Sequence, residues 1–165
     1  MPIPEFVAAL RAQVGTAPLW LPGVTAVVHD DAGRLLLGQR ADNGLWALVS
    51  GILEPGEEPA RGLVREVLEE TGVEVEVEAL AAVSTTPEVV YPNGDRSAYL
   101  DLCFLARPVS AASAAAAHVA DDESVAVAWF DPGSLPEDLA PSTRRRLGSA
   151  ERYRADPAAG TVFVR

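Results

Sequence analysis

Residues 51–73 read GILEPGEEPARGLVREVLEETGV, and few folds accommodate such a segment. Pro55-Gly56 forces a loop over Ile52–Glu58. Pro59 then suits the first turn of a helix. Ala60, Leu63, Val64, Val67 and Leu68 recur at i, i+3, i+4, i+7 and i+8, which predicts one apolar helix face. Gly72 ends that helix well. Glu66, Glu69 and Glu70, spaced i, i+3, i+4, fall on one face. At about 100° per residue they lie roughly opposite the apolar one. The pattern predicts a helix that buries one side and shows its carboxylates on the other. Like charges so close repel, and no Lys intervenes. A divalent cation with oxygen ligands would relieve them.

Composition narrows the function. The 165 residues suffice for one domain with a real core, and 48% of them are hydrophobic. A net charge of −11 argues against general nucleic-acid binding, which needs a basic face. All 13 basic residues are Arg, so a Walker-type phosphate Lys and Schiff-base chemistry are excluded. Cys103 is the only Cys, which excludes a disulfide framework and a Cys-rich zinc site. MPIPEFVAALRAQVG lacks the basic start and long apolar run of a signal peptide. No apolar stretch reaches membrane-spanning length, so a soluble cytoplasmic protein with no membrane role is expected.

Gly51, Glu57, Arg65, Glu66, Glu69, Glu70 and Gly72, with aliphatic Val67 and Val73, match the Nudix box, the signature of the Nudix hydrolase superfamily. The flanking GRLLLGQRADNGLWAL and DDESVAVAWFDP segments also resemble this family. The resemblance implies an α/β fold, an α/β/α sandwich with a mixed sheet and the box as a loop–helix–loop motif. It implies Mg²⁺- or Mn²⁺-dependent hydrolysis of a pyrophosphate linkage. It assigns metal binding to Glu66, Glu69 and Glu70, with the carbonyl of Gly51 as a further ligand. The general base stays open among the three acids. Glu57 and Arg65 are expected to form a salt bridge that fixes the loop against the helix. Glu123, in Asp121-Asp122-Glu123, matches an acid that in many relatives reaches the metals or the attacking water; its other reading is a solvated acidic loop. One departure is Ser50, where many relatives have Gly.

Elsewhere the pattern is that of one domain over 1–165. An N-terminal helix over 4–14, with Phe6, Val7, Leu10 and Val14 on one face, leads into a connector at Leu19–Gly23. Val24–His29 and Arg34–Arg40 read as a hairpin around Asp30–Gly33. Leu45–Val49 reads as a short strand, and Val73–Thr85 is strand-like, whole or in two pieces. Val89–Tyr91 and Ala98–Ala106 flank the Pro92–Asp95 turn. Ala111–Ala117 is a helical turn or a loop, and sequence does not choose. Val125–Phe130 is a strand, and Ser142 is the expected cap of a helix over Thr143–Tyr153. Residues 157–165 are a loose tail or, at Thr161–Val164, a further strand.

Outside the box, Arg40 and Tyr91 are the candidate substrate contacts, each with an equal reading as a plain surface residue. Trp46 and Cys103 read as packing, and His29 and His118 as structural or exposed. Pro87 points weakly to an ADP-ribose-like substrate and Tyr91 to a dinucleoside polyphosphate. A nucleoside triphosphate pyrophosphohydrolase is the close alternative. A ligand sensor without turnover is disfavoured because every box carboxylate is present. Family members are often dimers, so a homodimer is also an expectation.

Overall fold

The computed structural model describes residues 4–164. In chain order the helices are α1 (Glu5–Val14), α2 (Pro59–Thr71), α3 (Ala111–Ala115) and α4 (Pro141–Ala155). The strands are β1 (Leu19–Val28), β2 (Leu35–Arg40), β3 (Trp46–Ala47), β4 (Ser50–Ile52) and β5 (Val75–Thr85). They continue with β6 (Val89–Val90), β7 (Arg96–Pro108), β8 (Ser124–Phe130) and β9 (Val162–Phe163).

The larger sheet runs β4-β1-β7-β5-β9, with β6 paired to β7. It is mixed: β1 is parallel to β7 and β5 to β9, whereas β4 is antiparallel to β1 and β5 to β7. A second, antiparallel sheet runs β3-β2-β8. Side chains alternate across β1. Val24, Ala26 and Val28 pack with Leu63 and Val67 of α2. Val27 packs with Cys103, Leu139 and Ala150 on the α4 side. Helices therefore cover both faces of the sheet, giving the expected α/β/α sandwich. Leu63 and Val67 are fully buried, contributing roughly 1.5–3 kcal/mol each.

The structure departs from the sequence reading in four places. First, β1 begins at Leu19, so the expected connector is strand. Pro22 is tolerated there because it is exposed and lies before the stretch paired to β4. Second, β1 and β2 form no hairpin; a single bridge, His29 to Leu35, joins them. Both edges of β1 are already filled by β4 and β7, so β2 seeds the other sheet. Third, the strand expected at Leu45–Val49 shortens to Trp46–Ala47. Fourth, α4 begins at Pro141, so Ser142 lies inside its first turn, and no side chain caps it. Thr143 is buried instead and accepts the Leu48 N–H at 3.1 Å.

The undecided Ala-rich run is helical from Ala111 to Ala115, because Ser110 Oγ accepts the Ser113 N–H. The Val73–Thr85 segment is one strand from Val75, bulged twice against β7. Val162–Phe163 adds a parallel strand beside β5.

Candidate active site

Helix α2 carries the box acids, and its orientation differs from the sequence expectation. The buried positions are Gly62, Leu63, Glu66, Val67, Glu70 and Thr71, whereas Ala60 and Leu68 are exposed. Glu66 and Glu70 are only 7% and 8% exposed. They face inward rather than opposite the buried side. The cause is Gly51 at the centre of β4: a Cβ built there would lie 1.9 Å from the Glu66 carboxyl carbon. Glycine opens a slot in the sheet edge, and the carboxylate fills it. Ser50 lies in β4 opposite Thr25, in register, so replacing the usual Gly leaves the strand intact.

Arg65 is a hub. Its Nε donates to Glu57 Oε1 at 2.8 Å and its Nη2 to Glu57 Oε2 at 3.0 Å. Nη1 donates to Glu66 Oε1 and to Glu69 Oε2, both at 3.0 Å. Glu57 Oε2 also accepts the Glu54 N–H, so the pair ties the loop to the helix as expected. The Glu57 hydrogen bonds hold the guanidinium well above its ordinary pKa, and that carboxyl below its own. The side chain of Glu69 is 56% exposed, and the Arg65 contact holds it beside Glu66.

Glu70 is different. Its Oε1 is buried and has no hydrogen-bond partner among the described residues. Burial, then the charges of Glu123, Glu66 and Asp121, push its pKa up to about 9. Burial pushes Glu66 up to about 7, against the pull of Arg65. Burial also raises Glu123. These acids thus meet from α2 and from the loop before β8. Among the described residues, no three His, Cys, Asp or Glu side chains are gathered closely enough to grip a metal. Arg65 engages Glu66 and Glu69 instead. The donor set nevertheless fits a hard divalent cation, since an orphaned buried carboxylate oxygen lies among like charges.

Arg40, at the end of β2, donates to both oxygens of Asp42 at 2.8 and 2.6 Å. Its charge is also felt by Glu123, Glu70 and Tyr91. Tyr91 on the β6–β7 hairpin shares a 2.6 Å hydrogen bond with Tyr99. Of the two candidate substrate contacts, Arg40 thus lies within electrostatic reach of Glu70 and Glu123, whereas Tyr91 is coupled to Arg40 and Tyr99. Trp46 packs edge-on against Phe130 at 4.7 Å, and Cys103 is buried, as read.

A mixed α/β/α sandwich that sets a glycine-backed acidic helix against a second acidic loop defines a class, the Nudix hydrolases. The NUDIX domain family matches residues 19–148, so the chain belongs to that family and is a Nudix hydrolase. It is 39% identical over 123 residues to a MutT-like protein of Streptomyces ambofaciens, covering 74% of this chain and 71% of that one. It is 36% identical over 119 residues to human 8-oxo-dGDP phosphatase NUDT18, covering 70% of this chain but only 34% of the relative. The crystal structure of a MutT NUDIX hydrolase from Burkholderia pseudomallei superposes with a TM-score of 0.64. That match has 28% identity and covers 79% of this chain and 98% of the other.

Proposed function

We propose that this Nudix hydrolase cleaves a pyrophosphate linkage in a nucleoside diphosphate derivative and depends on Mg²⁺ or Mn²⁺. The observation that carries this reading is Glu70, a buried carboxylate with an unpartnered oxygen beside Glu66 and Glu123. Glu66, Glu69, Glu70 and Glu123, with the Gly51 carbonyl, would hold the cation. When bound, the cation supplies charge stabilisation at phosphoryl oxygens and a more acidic water. Glu57 and Arg65 hold the loop and orient Glu66. One of the three helix acids takes the proton of the attacking water. Arg40, whose charge reaches Glu70 and Glu123, and Tyr91 beside it are the side chains that would contact the substrate.

A second reading, a nucleoside di- or triphosphate substrate, is favoured by the human relative, which is named for 8-oxo-dGDP. ADP-ribose, dinucleoside polyphosphates, nucleotide sugars and nucleoside triphosphates, oxidised ones included, should be screened at equal concentration with Mg²⁺ and Mn²⁺. The expected result is turnover of at least one diphosphate compound, abolished by chelator. Full turnover in excess chelator sinks the metal mechanism. Release of only inorganic phosphate from simple monoesters sinks the pyrophosphatase reading.

A further inference from the structure

The segment between α3 and β8 is tied to the end of α2 by an arrangement outside the Nudix box. Gly72 follows α2 with φ of 69°, and its N–H donates to the Leu68 carbonyl. A Cβ built on Gly72 would lie 2.2 Å from His118 Cε1 and 2.5 Å from its Nδ1. The imidazole therefore rests on the bare Cα of Gly72. Its Nδ1 lies 2.7 Å from the Ala116 carbonyl, which can only accept, so Nδ1 carries the proton. The backbone follows the ring: His118 N–H donates to the Thr71 carbonyl at 3.0 Å, and Ala120 N–H to the Glu70 carbonyl at 3.2 Å.

From there the chain enters the acidic loop. Asp121 Oδ1 accepts the Glu123 N–H at 3.0 Å, and the Glu123 carbonyl accepts the Ala41 N–H at 2.7 Å. The loop is thus fastened at one end to the residues that carry Glu70 and at the other to the end of β2.

We propose that His118 is a positioning residue: seated on Gly72, it docks the loop of Asp121 and Glu123 against Glu70, so that the acids of helix and loop form one site. This rests on the functional reading above. It explains why a bulky ring sits where only glycine leaves room. It also gives Gly72 a role beyond ending the helix.

The test uses the full chain, with Mn²⁺ binding measured by titration without substrate, steady-state kinetics, and amide exchange at Ala120 and Glu123 in chelator. His118→Ala should speed exchange at both amides, weaken Mn²⁺ binding about ten-fold and lower kcat more than it raises KM. His118→Asn should restore most of each, because its amide N–H can replace the Nδ1–H bond to Ala116. Gly72→Ala should show the same defects more strongly, and adding His118→Ala should partly relieve them by removing the clash. Wild-type exchange and Mn²⁺ affinity in His118→Ala overturn the proposal while leaving the functional reading intact. A wild-type protein that binds no Mn²⁺ and turns over no nucleotide overturns both. If Gly72→Ala does not fold, the His118→Ala and His118→Asn pair decides alone.

Discussion

Glu66 occupies the space that a side chain on Gly51 would need, with 1.9 Å between a built Cβ and the carboxyl carbon. Gly51→Ala should therefore expel the Glu66 carboxylate from its slot. We expect kcat/KM to fall about 100-fold, with a stability loss of about 1–3 kcal/mol from overpacking. Kinetics and denaturant unfolding measure both. An Ala variant with unchanged kinetics would show that this close approach has no bearing on the reaction.

Glu70 couples pH to stability. Its folded pKa of about 9 lies above its ordinary value near 4.5, so the folded state keeps a proton that the unfolded chain releases. That contribution is complete below about pH 4.5 and is lost as pH rises through about 9. Glu66 adds the same sign up to about pH 7. The Tm of chelated protein should fall between pH 5 and pH 9, and Mg²⁺ should restore more of it at pH 8 than at pH 5. Glu70→Gln should flatten this slope, abolish most of the Mg²⁺ effect and cut turnover at least about 100-fold. Glu74→Gln, on an exposed residue past the box, should do neither. A pH-independent Tm in the chelated wild type would contradict the buried charge cluster.

Arg65 should matter more than Glu57. Arg65→Ala removes bonds to Glu57, Glu66 and Glu69, whereas Glu57→Ala leaves the last two in place. The double variant should resemble Arg65→Ala, with a coupling of roughly 1–3 kcal/mol in a cycle on kcat/KM. Fully additive losses would mean that the two act separately, with Arg65 contacting substrate instead.

Asp101 is 2% exposed and is held by Thr25 and by both Nε and Nη2 of Arg146. Arg146→Met leaves that carboxylate buried with one hydroxyl partner. Urea unfolding should show a loss of about 3–5 kcal/mol. A loss below about 1 kcal/mol would place Arg146 among ordinary surface residues.

The motif helix, its proline start and its Gly72 stop were legible because each depends on local backbone chemistry and the period of 3.6. The β6–β7 hairpin was legible because Asn93-Gly94 makes its own turn. Pairing was less so: Asp30–Gly33 turns the chain whether or not β1 and β2 then pair, and the occupants of both β1 edges come from distant residues. The Asp101 ion pair was not legible, because its partner Arg146 lies 45 residues away.

The sequence by itself determined the carboxylate spacing, the loop–helix–loop and the family, because those reside in residue identity over a short span. Only the tertiary structure decided that Glu66 and Glu70 face inward. Helical periodicity places side chains around an axis and does not say which side meets the sheet. That choice was made where Gly51 leaves a gap, where Arg65 takes up Glu66 and Glu69, and where the loop before β8 folds back onto the end of the helix.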